Sequence, residues 1–262
     1  MSGPSRRRVG SIDLTDVDIL SRNFGRDFLP YPLMFTRPTR FPTADAYAEY
    51  AATVADRLAE GDLQKFEKWA ASYAYADIRV ECHVQFIPAD TPSIRVVANR
   101  LGDNGFLAQQ RGGDDVDVDT IDVDELSAYQ LSAAIADLVA FTKPGRRARI
   151  VVPEYVRQAV AVPEPRDFSV HDTVVDTGVE TVARSDIAAY GTVQSHWRPL
   201  RRWGFDAGKN AAVFLRVRGD GDYLYEDADL TAARPMDRRA LAERIDRLIA
   251  EDVAVLRRVR RG

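Results

Sequence analysis

Apolar positions near the start of the chain recur with a helical period. Leu14, Val17, Leu20 and Phe24 share one face, and Gly25 follows as a residue suited to the left-handed close of a turn. Pro30 and Pro32 exclude a helix across Phe28–Phe35 and leave an edge strand or an extended crossing. Thr43 can cap the next helix, whose stripe is Tyr47, Tyr50, Val54 and Leu58 before Gly61 ends it. A further helix from Asp62 turns Leu63, Phe66, Trp69, Ala70 and Tyr73 one way.

The period then shortens to two. Ile78, Val80, Cys82, Val84 and Phe86 alternate with Arg79, Glu81, His83 and Gln85, which predicts a half-buried strand. Pro88–Pro92 is a turn, Ile94–Leu101 a second strand, Gly102–Gly105 a tight hairpin turn and Phe106–Gln110 a third strand. A fourth strand is expected through Val116, Val118 and Ile121. A helix should follow from about Asp124, with Leu131, Ile135, Leu138 and Val139 inward. The C-terminal helix is the clearest element, opened by Pro235 and Asp237 and lined by Leu241, Ile245, Leu248, Ile249, Val253 and Leu256. Residues 150–205 carry no clear period.

One unit recurs. Aligning Gly102 with Gly219 pairs Asp103 with Asp220, Phe106 with Tyr223 and Leu107 with Leu224, a shift of 117. In the helices that follow, Leu131, Ile135, Leu138 and Val139 match Leu241, Ile245, Leu248 and Ile249 at a shift of 110, so the first copy is seven residues longer between hairpin and helix. A single strand–hairpin–helix unit leaves a sheet face bare, whereas two can cover each other.

Composition narrows the classes. The chain has 262 residues, 45% hydrophobic and 29% charged, which suits a globular fold. A net charge of −4 disfavours binding to phosphate backbones. Arg6–Arg8 and Arg257–Arg261 are local exceptions, expected as solvated tails. Cys82 is the one cysteine, so no intrachain disulfide forms and a reducing compartment fits. Asp13, Asp16 and Asp18 interrupt Ile12–Leu20, so no secretory leader is expected, and no apolar run is long enough to span a bilayer.

No catalytic constellation emerges, and no cofactor or metal is called for. Of the three histidines, His83, His171 and His196, the first lies on the polar side of a strand and the second in a loop; neither has a His or Cys partner at ligand spacing and both read as surface histidines, with Cys82 opposite His83 across its strand. The acidic run Asp114–Glu125 fails the calcium-loop pattern, because Thr120 stands where glycine is needed and Leu126 where a glutamate is. It reads instead as a strand with an acidic outer face. Gly204–Asn210 departs from a phosphate-binding loop in spacing and in its final residue. Trp197, Trp203 and Phe205 among Arg198, Arg201 and Arg202 could stack on bases. A strand packed on its sister repeat is the better reading of Trp197–Phe205, and a nucleic-acid module using that segment and the arginine-rich termini is the alternative function.

An N-terminal helix leading into Leu29-Pro-Tyr-Pro-Leu33, two Gly-Asp hairpins each followed by an amphipathic helix, and Arg149-Ile-Val-Val-Pro153 opening the second half resemble the EspG family of actinobacterial type VII (ESX) secretion. The resemblance implies an α+β fold: a central, mostly antiparallel sheet flanked by two helical bundles, with two halves related by a pseudo-two-fold axis. The whole chain would then be one domain, with halves of about 12–142 and 149–262. It further implies a cytoplasmic, non-enzymatic chaperone that binds the exposed tip of PPE subunits in PE–PPE heterodimers and delivers them to the secretion system. Such a protein needs no cofactor, nucleic acid or membrane insertion, and is a monomer or homodimer when free. Family members meet clients through a loop of the central sheet and the C-terminal bundle. Carried onto this chain, the loop is Pro88, Ala89, Asp90, Thr91 and Pro92. The bundle includes the helix Asp237–Arg258, with Arg244 and Arg247 as contact residues.

Overall fold

The computed structural model describes residues 6–87, 91–111, 118–156, 178–198, 203–226, 228 and 230–261. The first helix, α1 (Leu14–Asn23), follows a short strand, β1 (Arg7–Asp13). Asp13 caps it by accepting from Thr15 N, and Gly25, predicted to close it, does so at φ +71°. Thr43 caps α2 (Ala44–Glu60) by accepting from Ala46 N, and Gly61 ends that helix. The helix expected from Asp62 is a 3₁₀ turn over Gln64–Phe66 running into α3 (Glu67–Tyr75).

Strands β2 (Ile78–Phe86), β3 (Ile94–Leu101) and β4 (Asn104–Arg111) follow the sequence reading, with Gly102 turning the hairpin at φ +62°. The next expectation needs correction. The strand β5 runs over Thr120–Ser127, and only after a 3₁₀ turn does α4 (Leu131–Leu138) begin. The reason is β1, which pairs with the stretch that reads as a helix start: Arg7 lies opposite Glu125 and Arg8 opposite Asp124. The expected tail at Arg6–Arg8 is therefore an ion-paired segment, Arg6 bonding the Ala134 carbonyl and Asp137, Arg7 meeting Glu125 and Arg8 meeting Asp122. Nor is the acidic face outward throughout, since Asp119 and Asp122 are buried. Asp119 accepts from the backbone N–H groups of Thr36 and Arg37, and Asp122 pairs with Arg8 and Arg111. Residues 112–117 of the run, Val116 among them, lie outside the described residues.

The second half holds β6 (Ile150–Val151), β7 (Glu180–Thr181), β8 (Ile187–His196), β9 (Ala212–Val217), β10 (Asp222–Tyr225), β11 (Ala233–Pro235) and α5 (Arg238–Val259). Gly219 turns the β9–β10 hairpin at φ +67°. The strand expected at Trp197–Phe205 is instead the ten-residue β8 just before it. Trp197 and Arg198 bend away beyond its end, and residues 199–202 lie outside the described residues. Phe28–Phe35 is an extended crossing without strand pairing, held where the Gln110 amide bonds both N–H and C=O of Met34.

The fold is α+β: five helices and, among the described residues, one eleven-stranded, mostly antiparallel sheet in the order β1-β5-β4-β3-β2-β8-β9-β10-β11-β6-β7. β2 and β8 form its middle, paired antiparallel from Arg79–His196 to Phe86–Ala189. Alternate residues serve opposite faces. Val80, Cys82, Val96, Ala98, Val193 and Phe214 pack with α4 and α5 in one core. On the other face, Val97, Phe106, Ala108, Ile121 and Val123 pack with α1, α2 and α3. Val213, Leu215, Val217, Tyr223 and Tyr225 head a third core with Ile150 and Val182. Gly191 is required where it stands, because a Cβ there would enter the Phe214 ring. No helix among the described residues is long and apolar enough to cross a membrane.

Candidate partner-binding surface

α5 fixes the geometry of the predicted contact region. Asp237 sits at its N-cap, accepting from Ala240 N at 2.8 Å, and two arginines occupy its last turn, where cations offset the helix dipole. Leu241, Ile245 and Leu248 are buried against the sheet, and Ile249 and Val253 are partly so. That anchored stripe turns Glu243 and Arg247 to solvent and leaves Arg244 half-buried at its margin.

Arg244 and Arg247 meet in a cleft of about 350 Å³ between α5 and the β10–β11 hairpin. Leu224, Tyr225, Pro235 and Ala240 supply its apolar part. Its carboxylates are already matched: Glu226 pairs with Arg149 at 2.9 Å and with Arg234, and Glu243 pairs with Arg239 at 2.7 Å. The two predicted arginines are not. Arg244 donates from Nη2 to the Ala211 carbonyl at 3.2 Å, while its buried Nε has no partner among the described residues. Arg247 is exposed and makes no ion pair among the described residues. The cleft thus has an apolar floor and two guanidinium groups without a carboxylate.

The predicted loop lies elsewhere on the molecule. Ile87 leaves β2 41% exposed, donating its N–H to the Ala188 carbonyl and accepting from Arg218 Nη2 at 3.2 Å. Thr91 and Pro92 are exposed ahead of β3, and Pro88, Ala89 and Asp90 lie outside the described residues. Arg218 follows β9 whereas Ala211, the anchor of Arg244, precedes it. Ile87 and the anchor of Arg244 therefore lie towards opposite ends of β9, roughly 20 Å apart.

The chain matches the EspG family over residues 13–247. It belongs to the EspG family. This is a family of chaperones associated with type VII secretion. No curated protein matches the chain.

In this EspG-family chain the middle of the sheet carries a second polar cluster that the sequence reading missed. On the face opposite α4 and α5, Arg79, Glu81 and His83 of β2 stand beside His196, Gln194 and Thr192 of β8, and β3 adds Asn99 and Arg95. Arg79, Glu81, Asn99, Gln194 and His196 are all buried. Arg79 bonds the Tyr73 carbonyl at 2.8 Å, and burial lowers its pKa. Glu81 Oε2 lies 3.4 Å from His196 Nε2. The strand is thus covered on both sides rather than half-exposed.

His83 is not the surface residue expected, and His196 is buried. Tyr31, carried over by the proline-rich crossing, bonds His83 Nδ1 at 3.0 Å and stacks edge-on against its ring, while Trp203 packs on Tyr31. Burial, followed by the charge of Arg95, lowers the His83 pKa to about 4. His171 lies outside the described residues. The alternation of Thr192, Gln194 and His196 with Val193 and Ser195 was the available signal for this cluster. Ser195, His196 and Glu81 supply residue types known from nucleophilic sites, but Ser195 and His196 are consecutive on β8 and project to opposite faces. They assemble no catalytic set. Cys82 is buried in the core, which pushes its thiol up to about 12 and makes it a poor nucleophile. Among the described residues, no group of three or more His, Cys, Asp or Glu is placed to hold a metal.

Proposed function

We propose that this EspG-family chain is a cytoplasmic chaperone that binds the exposed tip of the PPE subunit in a PE–PPE heterodimer and keeps it soluble for delivery to an ESX system. Contact runs through Pro88–Pro92 and along α5 at Arg244 and Arg247. The observation that carries this reading is the pair of uncompensated arginines over an apolar cleft on a helix anchored firmly to the sheet. An aggregation-prone helical tip is covered by such a surface: apolar area supplies affinity, and fixed charges select the register. The strand order supports the two-half arrangement the family implies. β2–β5 with α4 and β8–β11 with α5 run outward from the central β2–β8 pair, each through a hairpin turned at a left-handed glycine.

Co-purification with a PE–PPE pair, followed by titration calorimetry, tests the assignment. Reversing both charges (Arg244→Glu with Arg247→Glu) should weaken client binding by about 100-fold, the range expected when charged contacts at an interface become repulsive. A folded double variant with unchanged affinity would remove α5 from the contact. The nucleic-acid alternative gains no support, because Arg6, Arg7 and Arg8 are engaged within the fold.

A further inference from the structure

A second cleft, of about 300 Å³, opens near the C-terminal half of α5, on the face of the sheet that carries α4. Its walls are Trp197 just past β8, Leu248 and Val255 of α5, and the segment around Lys209. Ser195 lines it and is only 1% exposed, yet its Oγ has no hydrogen-bond partner among the described residues. A buried hydroxyl left unpaired costs stability that a bound donor would restore. The charges in the cleft are unevenly matched. Both oxygens of the buried Asp252 are taken by Lys209 Nζ, at 2.7 and 2.9 Å. Glu251, exposed at the rim, receives only an amide N–H from Asn210 at 3.1 Å. The lining therefore carries one negative charge more than it neutralises. One face of Trp197 is taken by the Arg198 guanidinium, 4.3 Å from the ring centroid, so Trp197 offers the cleft apolar surface.

We propose that this cleft is a binding site for a primary ammonium or guanidinium group on an aliphatic stem, the chemistry of a lysine or arginine side chain on a partner protein or of a free diamine. The stem packs between Trp197, Leu248 and Val255, the cation meets Glu251, and one of its N–H groups donates to Ser195 Oγ. The cleft is large enough for such a group. This goes beyond client recognition at Arg244 and Arg247, and it does not depend on that reading.

Agmatine titrated into the full chain, followed by calorimetry and tryptophan emission, is the direct test. The expected result is saturable one-to-one binding in the millimolar range. Glu251→Gln, an exposed change that leaves the fold intact by circular dichroism, should weaken it about three- to fivefold, and Ser195→Ala should weaken it by a smaller factor. Sodium acetate at the same concentrations should give no saturable signal. Absence of saturation with agmatine, or equal affinity in the wild type and Glu251→Gln, overturns the proposal. Repeating client binding at saturating agmatine identifies the source: competition assigns the cation to the client, and unchanged client affinity assigns it to a free amine. Either outcome leaves the site standing.

Discussion

At the scale of single residues, burial decides which polar groups matter. His83 sits under Tyr31 with Nδ1 bonded and Nε2 buried without a partner among the described residues. Its pKa in the folded state, about 4, lies below the ordinary 6.5 because burial and then Arg95 oppose the charged ring. Between those values the unfolded chain holds the proton more tightly than the folded one, so stability must fall as pH drops from 6.5 towards 4 and level off below. Thermal unfolding across that range should show a falling midpoint. His83→Gln, which keeps an acceptor for Tyr31, should flatten the slope between pH 6.5 and 4. A variant with the parental slope would mean that another group titrates there. Asp122 and Asp220 act in a separate window. Burial raises the pKa of each, but their hydrogen bonds prevail and the net shift is downward, so what they contribute is lost only as pH falls below the ordinary carboxylate value of 3.8.

At the scale of elements, caps and period account for what the sequence made legible. α1, α2 and α5 each carry a capping residue followed by a stripe of helical spacing, and Asp13, Thr43 and Asp237 all make the side-chain bond to backbone that those positions call for. Removing one such bond, with Asp237→Ala, should cost about 1 kcal/mol of stability in denaturant titration, without change in the denaturant slope. A loss several times larger would mean that Asp237 does more than cap. The illegible elements have physical reasons too. β1 has a register shift between Arg8 and Gly10 that breaks its alternation, and its arginines look like a solvated run until Asp122 and Glu125 are brought beside them from over a hundred residues away. β8 is covered on both faces, so Thr192, Gln194 and His196 are buried polar residues and no clean hydrophobic face marks the strand. The candidate site was half legible. Helical period alone sets Arg244 and Arg247 off the apolar stripe of α5, but their lack of a carboxylate follows from Arg149, Arg234 and Arg239 claiming Glu226 and Glu243, which only the fold brings together.

At the scale of the whole molecule, the central pair β2–β8 joins what would otherwise be two partial sheets. The connection is not a flat apolar contact that solvent could replace. Glu81 and His196 lie 3.4 Å apart across it, Arg79 and Gln194 are buried beside them, and Tyr73 and Asp206 supply backbone partners from either side. Either half alone would expose a strand edge of nine or ten residues and leave charged groups stranded in a partly dry surface, a combination that favours aggregation over folding. Residues 1–142 and 143–262 expressed separately should therefore be insoluble or lack a dispersed amide spectrum, whereas the full chain should unfold in one cooperative transition by calorimetry. Co-expression of the two pieces should restore a soluble complex, because the strand pairing needs no covalent link between residues 142 and 143. A half that folds alone with sharp resonances would mean that the chain is two domains lying side by side, and would remove the reason for treating α5 and the end of β2 at Ile87 as parts of one rigid body.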